Sequence, residues 1–279
     1  MILQQLYTSN NGSVSKALLE LTGGQTIETV LIKHLDHYTV CLSSQVGCPL
    51  GCVFCATGQS GFVRNLAVDE ITDQINFWNK RLALDLKRVR NLVFMGMGEP
   101  FLNWENVKAA MIFITSPDGL NIGQRHISVS TCGIVDKIRE FTALKTQINL
   151  AISLHSAQNE TRNLLMPINR QYPLNDLIEA GLDYVQRTSR KLFFEYILLK
   201  DINDTNREIN QLIKLIQRHY LFHLNLIPYN QTLGDFKPTG SERRRQIIQF
   251  LQKNKLRFTV RKSFGGGIKA ACGQLRSNG

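Results

Sequence analysis

The stretch NLVFMGMGEPFLNWENVKAAMIFITSPDGLNIGQRHISVS, residues 91–130, decides the architecture. NLVFM (91–95) is a short apolar run that suits a strand, WENVKAAMIFI (104–114) spaces its apolar residues at helical intervals, and HISVS (126–130) returns to strand character. Strand, helix and strand in that order predict two parallel strands joined by a helical crossover. The alternation continues in both directions. HYTVCL (37–42) precedes it, and INLAIS (148–153), KLFFEYILL (191–199), HLNLI (223–227) and LRFTV (256–260) follow. VDEITDQINFWNK (68–80), LNDLIEAGLDYVQ (174–186) and NREINQLIKLIQ (206–217) carry helical spacing between them. Asp204 with Thr205, and Ser241 with Glu242, mark helix starts. Several strand runs read as apolar throughout, the pattern of a sheet covered on both faces. Six or seven such units fall short of a closed eight-fold barrel, so the fold expected is α/β, an open partial (β/α)6-type barrel. Its active site belongs at the C-terminal ends of the strands. SKALLELTGGQTIETVLIK (15–33) reads as a β-hairpin turning at Gly23-Gly24. It makes residues 1–36 a small extension ahead of a core over 37–279.

The chain has 279 residues, with 33 Lys and Arg against 22 Asp and Glu, a formal net charge of +11. A hydrophobic content of 43% with 20% charged residues is that of a folded globular chain and excludes a disordered one. No stretch is apolar enough to span a membrane, and MILQQLYTSNNGS lacks the features of a secretory leader. A cytoplasmic protein with no membrane partner is the expectation. The positive balance suits a polyanion. Its basic segments are KRLALDLKRVR (80–90), RTSRK (187–191), SERRRQ (241–246) and KNKLRFTVRK (253–262).

Four of the six cysteines, Cys41, Cys48, Cys52 and Cys55, fall within fifteen residues, while Cys132 and Cys272 stand apart. In GCPLGCVFC the last three have the spacing Cys-x3-Cys-x2-Cys. Three thiolates so close in sequence can reach one metal centre. A tetrahedral zinc site needs a fourth ligand, and none follows at a suitable distance. Three thiolates on a 4Fe–4S cluster leave one iron open to a small molecule. Three buried cysteines packing as small hydrophobes is the plain structural alternative.

Cys-x3-Cys-x2-Cys with Phe54 before the last cysteine resembles the radical S-adenosylmethionine (SAM) superfamily. The longer run CLSSQVGCPLGCVFCATGQSGFVRNL (41–66) resembles the RlmN/Cfr family of RNA adenine methyltransferases. GMGEP (96–100), STCGI (130–134), AISLHS (151–156), LMPIN (165–169), NLIPYN (225–230) and TVRKSFGGGIKAACGQL (259–275) continue the likeness. The resemblance implies a 4Fe–4S cluster on Cys48, Cys52 and Cys55, whose open iron chelates SAM and cleaves it to a 5′-deoxyadenosyl radical. It implies SAM contacts at Gly98, Glu99, Ser130, Ser153, Leu154, His155 and Asn230, most of them at the ends of expected strands.

It also implies that Cys272 takes a methyl group from a first SAM, that two SAM molecules are used per turnover, and that Cys41 resolves the intermediate through a transient disulfide. Glu28 matches the family's proton acceptor, although by itself a Glu in a short strand reads as an exposed carboxylate. Cys132 reads as a buried bystander. The acceptor implied is an adenine ring carbon, carbon 2 favoured over carbon 8, in ribosomal or transfer RNA, with a flavodoxin-type electron donor. Relatives usually carry an N-terminal accessory domain ahead of the hairpin, so a partner supplying RNA binding is a further expectation. A non-RNA acceptor, or a non-catalytic RNA-binding or Fe–S protein, are the alternatives.

Overall fold

The computed structural model describes residues 1–232, 234–261 and 265–276. Lys262, Ser263 and Phe264 of the motifs quoted above, together with Leu233 and residues 277–279, lie outside these. In chain order the elements are β1 (Ile2–Thr8), β2 (Val14–Glu20), β3 (Thr26–Lys33), β4 (Tyr38–Cys41), β5 (Gln45–Gly47), α1 (Ala56–Gln59), β6 (Phe62–Asn65), α2 (Val68–Leu82), β7 (Asn91–Phe94) and α3 (Trp104–Thr115). They continue as β8 (Ile127–Thr131), α4 (Val135–Ala143), β9 (Asn149–Ser153), α5 (Asn159–Leu165), α6 (Leu174–Thr188), β10 (Leu192–Leu198), α7 (Asn206–Ile216), β11 (Phe222–Pro228), α8 (Ser241–Lys253) and β12 (Phe258–Val260).

Ten strands form one sheet in the order β1-β2-β3-β4-β7-β8-β9-β10-β11-β12, and its two edge strands do not pair with each other. From β4 onward every pairing is parallel, which makes the open barrel of the sequence expectation. The hairpin is present as β2 and β3, and β3 pairs antiparallel with β4, so the N-terminal strands continue the barrel sheet. MILQQLYT adds β1, a strand the sequence reading did not include. Its residues are mostly exposed and carry Gln4 and Gln5, so no buried face announces it. The short helices α4 and α5 were also not anticipated, because seven to nine residues hold too few turns to show a period.

The strands are not apolar on both faces. The register sets Thr39 beside Asn91, Val93 beside Ser128 and Ser128 beside Asn149. It also sets Ser153 beside Glu195, Glu195 beside Asn225 and Asn225 beside Thr259. These rows face the lumen. The alternate residues, Leu92, Val129, Leu150, Ile152, Phe194, Leu224 and Leu226, are buried on the outer face. Each large apolar side chain buried there contributes about 1.5–3 kcal/mol. A lumen lined by Ser, Asn, Thr and Glu differs from the Val, Ile and Leu layers that fill a closed (β/α)8 barrel, and leaves the interior for polar reactants.

Helix α7 begins where the sequence signal put it: Thr205 is its N-cap, and the hydroxyl accepts the Glu208 backbone N–H at 3.3 Å. Replacing Thr205 with Ala is expected to cost about 1 kcal/mol, read as a lower urea midpoint with an unchanged slope.

Candidate active site

The three-cysteine loop leaves β5 at Gly47 and returns in β6. Gly47 has φ +78°, and a Cβ there would lie 2.1 Å from the Gly61 carbonyl oxygen, so only glycine fits. The loop is fastened by Cys48 N–H to Gly61 O (2.7 Å), Val53 N–H to Leu165 O (3.1 Å) and Cys55 N–H to Cys52 O (3.1 Å). Cys48, Cys52 and Cys55 line one cavity at the C-terminal ends of the strands, with Glu99, Ser130, Ser153, His155 and Asn230. Burial pushes the Cys48 thiol up to about 12 and raises that of Cys55. Buried thiols of this kind are deprotonated by a coordinated cation, which supplies the missing charge. Among the described residues no three of His, Cys, Asp and Glu converge as a single ion requires. Three thiols on one wall fit a polynuclear centre, whose irons offer separate corners, better than a mononuclear zinc site.

The loop after β7 is shaped for close approach. Gly98 has φ +95°, and a Cβ would meet the Gln45 side chain at 2.5 Å. Gln45 Oε1 accepts the Glu99 N–H at 2.8 Å. Glu99 is 2% exposed; its Oε1 accepts the Phe101 N–H (3.0 Å) and its Oε2 the Cys132 N–H (2.7 Å). Burial raises its carboxyl pKa, and those backbone donors oppose the rise.

After β9 the chain turns sharply: the Leu154 and His155 N–H groups both donate to Glu195 O, at 3.0 and 3.3 Å, and His155 adopts φ +55°. The His155 ring packs edge-on against Phe54 at 4.8 Å, and its Nδ1 accepts the Ile197 N–H at 3.2 Å. Burial, and then the Arg162 charge, lower its pKa to about 3, so the ring is neutral. Leu154 is fully buried and does not line the cavity; its carbonyl accepts Arg162 Nε at 3.1 Å. Arg162 also donates to Asn169 Oδ1 (2.7 Å), Cys132 O (2.7 Å) and Ser153 O (3.2 Å).

Cys41 and Cys272 line a second cavity, within the lumen, that shares Cys272, Arg261, Asn230 and Met95 with the first. Cys272 keeps an accessible surface, which faces these cavities, although protein surrounds it in depth. Burial raises both thiols; the nearness of Cys272 raises Cys41 further, and the Arg261 guanidinium pulls both down. All six cysteines are unpaired in the structure, and no Cys41–Cys272 disulfide is present. The segment bearing Cys272 is stitched over the site by Ala56 N–H to Gly273 O (2.8 Å) and Arg276 N–H to Glu28 Oε2 (3.0 Å).

Glu28 is not the exposed carboxylate of the bare sequence reading. It is 5% exposed and its Oε1 pairs with Lys16 Nζ at 2.6 Å, outside both cavity walls. It nevertheless shares a face of β3 with Val30, the register partner of Cys41. Cys132 is half-buried rather than buried, and it lines the cavity beside the cysteine loop. The sequence reading also missed Glu195 and Arg162. Glu195, a cavity carboxylate, receives Asn225 Nδ2 at 2.8 Å; burial raises its pKa against the pull of Arg261. A lone Glu inside the apolar run LFFEYIL was the available signal.

The Radical SAM superfamily model matches residues 42–216, more than half of the chain. The chain is 45% identical over 262 residues to "Probable dual-specificity RNA methyltransferase RlmN" of Spiroplasma citri, covering 94% of this chain and 75% of that one. It is 40% identical over 277 residues to "Ribosomal RNA large subunit methyltransferase N" of Nitrosopumilus maritimus, covering 97% and 79%. The chain belongs to the RlmN family of radical SAM methyltransferases. The solved structure of a radical SAM methyltransferase from Sphaerobacter thermophilus superposes with a TM-score of 0.95 at 40% identity, over 99% of this chain and 81% of that one. The superfamily implies a 4Fe–4S cluster and SAM, and the cysteine loop and the cavity beside Glu99 suit both.

Two outcomes follow for this RlmN-family site. Arg162→Ala leaves three buried carbonyls and the Asn169 amide without their donor and is expected to cost about 3–5 kcal/mol, measured by urea unfolding. His155, with its folded pKa held near 3 against 6.5, contributes stability that is fully present above about pH 6.5 and is lost as pH falls towards 3. The loss reaches at most about 5 kcal/mol, and His155→Gln is expected to flatten the fall in urea midpoint between pH 7 and pH 5.

Proposed function

We propose that this chain methylates an adenine ring carbon, carbon 2 in preference to carbon 8, in ribosomal or transfer RNA, using a methylated Cys272 as the carrier. The observation that carries the proposal is the placing of Cys41 and Cys272 on one cavity that shares Cys272 with the wall holding Cys48, Cys52 and Cys55. The names of the RlmN relatives support the RNA acceptor, and the net charge of +11 suits it.

Carbon 2 and carbon 8 of adenine are amidine carbons, electron-poor, and do not displace a methyl group from SAM. A thiolate does. Cys272 attacks the methyl carbon of one SAM, with the Arg261 guanidinium offsetting the negative charge that burial disfavours. Cys48, Cys52 and Cys55 would hold the cluster, and Glu99 would meet the amino group of SAM. When bound, the cluster and a second SAM supply a carbon radical that takes a hydrogen atom from a methyl group. The S-methyl of Cys272 is the group within reach, and the carbon so activated bonds to the ring. Glu28 is the proposed acceptor of the ring proton, for which its ion pair with Lys16 must open. The Cys41 thiolate then attacks the Cys272 sulfur, forming a Cys41–Cys272 disulfide as the S–C bond breaks; the freed carbon keeps that electron pair and takes a proton to become the methyl group, and the one surplus electron of the ring adduct would pass back to the cluster. A flavodoxin-type donor would supply electrons and a thiol reductant would reset the pair.

The test is anaerobic reconstitution with iron and sulfide, exposure to SAM and mixed ribosomal and transfer RNA, and mass analysis of protein and nucleosides. Methyl transfer is expected to mark Cys272 and to yield methyladenosine. Cys272→Ala should abolish both while SAM cleavage continues, and Cys41→Ala should accumulate a protein–RNA crosslink. Normal turnover by Cys41→Ala would overturn the mechanism. A marked Cys272 with no modified RNA would point to a different acceptor.

A further inference from the structure

We infer that RNA docks on the face formed by the N-terminal ends of the parallel strands, and that the target base reaches Cys41 and Cys272 through the lumen from that side. The inference rests on the RNA acceptor proposed above. It departs from the rule that places the active-site mouth of such folds at the C-terminal strand ends.

Charge separates the two ends of the barrel. The connections leading into β4, β7, β8, β9, β10, β11 and β12 hold ten Lys and Arg against three Asp. Those running from the strands out to α2, α3, α4, α6, α7 and α8 hold five basic and five acidic residues. The segment running on from β12 adds Arg261, Lys269 and Arg276 to that end, so the net positive charge of the connections is larger, though not exclusive, on the strand N-terminal face. Arg88, Arg125 and Lys191 are exposed there. A polyanion is therefore drawn more strongly to this face than to the other end.

The lumen cavity joins that face to the reacting sulfurs. At its outer end it is lined by His34, His37 and Arg125, further in by Asn91, Ser128 and Asn149, and at its inner end by Cys41 and Cys272. The His34 and His37 rings lie 4.3 Å apart and within 13° of parallel, a flat aromatic step at the entrance on which a base can stack. Asn91, Ser128 and Asn149 give the passage a polar wall. The opposite end of the lumen is taken up by the chain itself. The three-cysteine loop lies there, and residues 265–276 are fastened to it through Ala56 N–H and Gly273 O. A base arriving through the strand N-terminal opening meets Cys272 from the side away from the cysteine loop, which leaves the first cavity free for SAM.

The probe is a fluorescein-labelled RNA stem-loop with unpaired adenines, titrated by anisotropy over a salt series. The triple variant Arg88→Glu, Arg125→Glu, Lys191→Glu is compared with Arg170→Glu, Lys200→Glu, Lys237→Glu, an equal charge change among exposed residues of the other face. The first triple is expected to weaken binding at least tenfold and to lower the slope of log K against log salt by about 2. The second should stay within about twofold of wild type. A milder set, Arg88→Gln, Arg125→Gln, Lys191→Gln, should show the same order with a smaller loss if the reversal variant fails to fold. Equal binding by all variants, or a larger loss in the second triple, overturns the inference and leaves the RNA acceptor standing. A wild-type protein that binds anionic phosphatidylglycerol vesicles but no RNA overturns both. The methyl mark on Cys272, read by intact mass without RNA, reports separately on the transfer chemistry.

Discussion

Arg162 has no exposed surface, and its guanidinium is met by three main-chain carbonyls and one amide oxygen. A buried cation costs several kcal/mol unless its donors are met, so the turns that supply those carbonyls are held to one geometry. They are the turns after β8 and β9. The peptide of Cys132 is gripped from both sides, its N–H by Glu99 and its carbonyl by Arg162, which ties the ends of three successive strands together. The positions of Ser130, Ser153 and His155 relative to the cysteine loop follow from this knot. Burial lowers the pKa of Arg162 only to about 10, so the charge persists at neutral pH.

The second organising feature is the inner face of the sheet. An open barrel cannot close its lumen with layers of branched aliphatic side chains, and here it does not attempt to. Ser, Asn, Thr and Glu occupy the inward rows, while the outward rows carry the apolar contacts that hold the helices. Stability and chemistry are thereby assigned to opposite faces of the same strands. Thiols placed in such a lumen are raised by burial, and the Arg261 guanidinium supplies the opposing field where a thiolate must form.

The ends of the chain meet at the site. Lys16 in β2 pairs with Glu28 in β3 and donates to the Lys269 carbonyl, and Glu28 receives the Arg276 N–H. The segment carrying Cys272 is therefore anchored on the N-terminal hairpin and on the cysteine loop at once. The methyl acceptance proposed for Cys272 would require a sulfur held beside SAM yet able to reach Cys41, and a short strap fixed at both sides meets that need.

Much of this was legible in the residues. The parallel strands and the longer helices follow from hydrophobic period, the turn at Gly23-Gly24 from its glycines, and the start of α7 from Thr205. The cysteine loop was legible from its spacing, because three thiols within eight residues share one loop whatever the rest of the chain does. What the sequence could not settle depends on distant partners. Glu28 reads as exposed until Lys16 and Arg276 cover it, Cys132 reads as buried until the end of β8 brings it to the cavity wall, and Leu154 reads as a contact until burial turns it away. The basic residues of the connections into β7 to β12 are separate in the chain and become neighbours only when parallel strands bring their N-terminal ends together. Local period and spacing determined which elements form and which chemistry is carried. Only the tertiary structure decided which side of the sheet each side chain faces, since that depends on long-range register and burial.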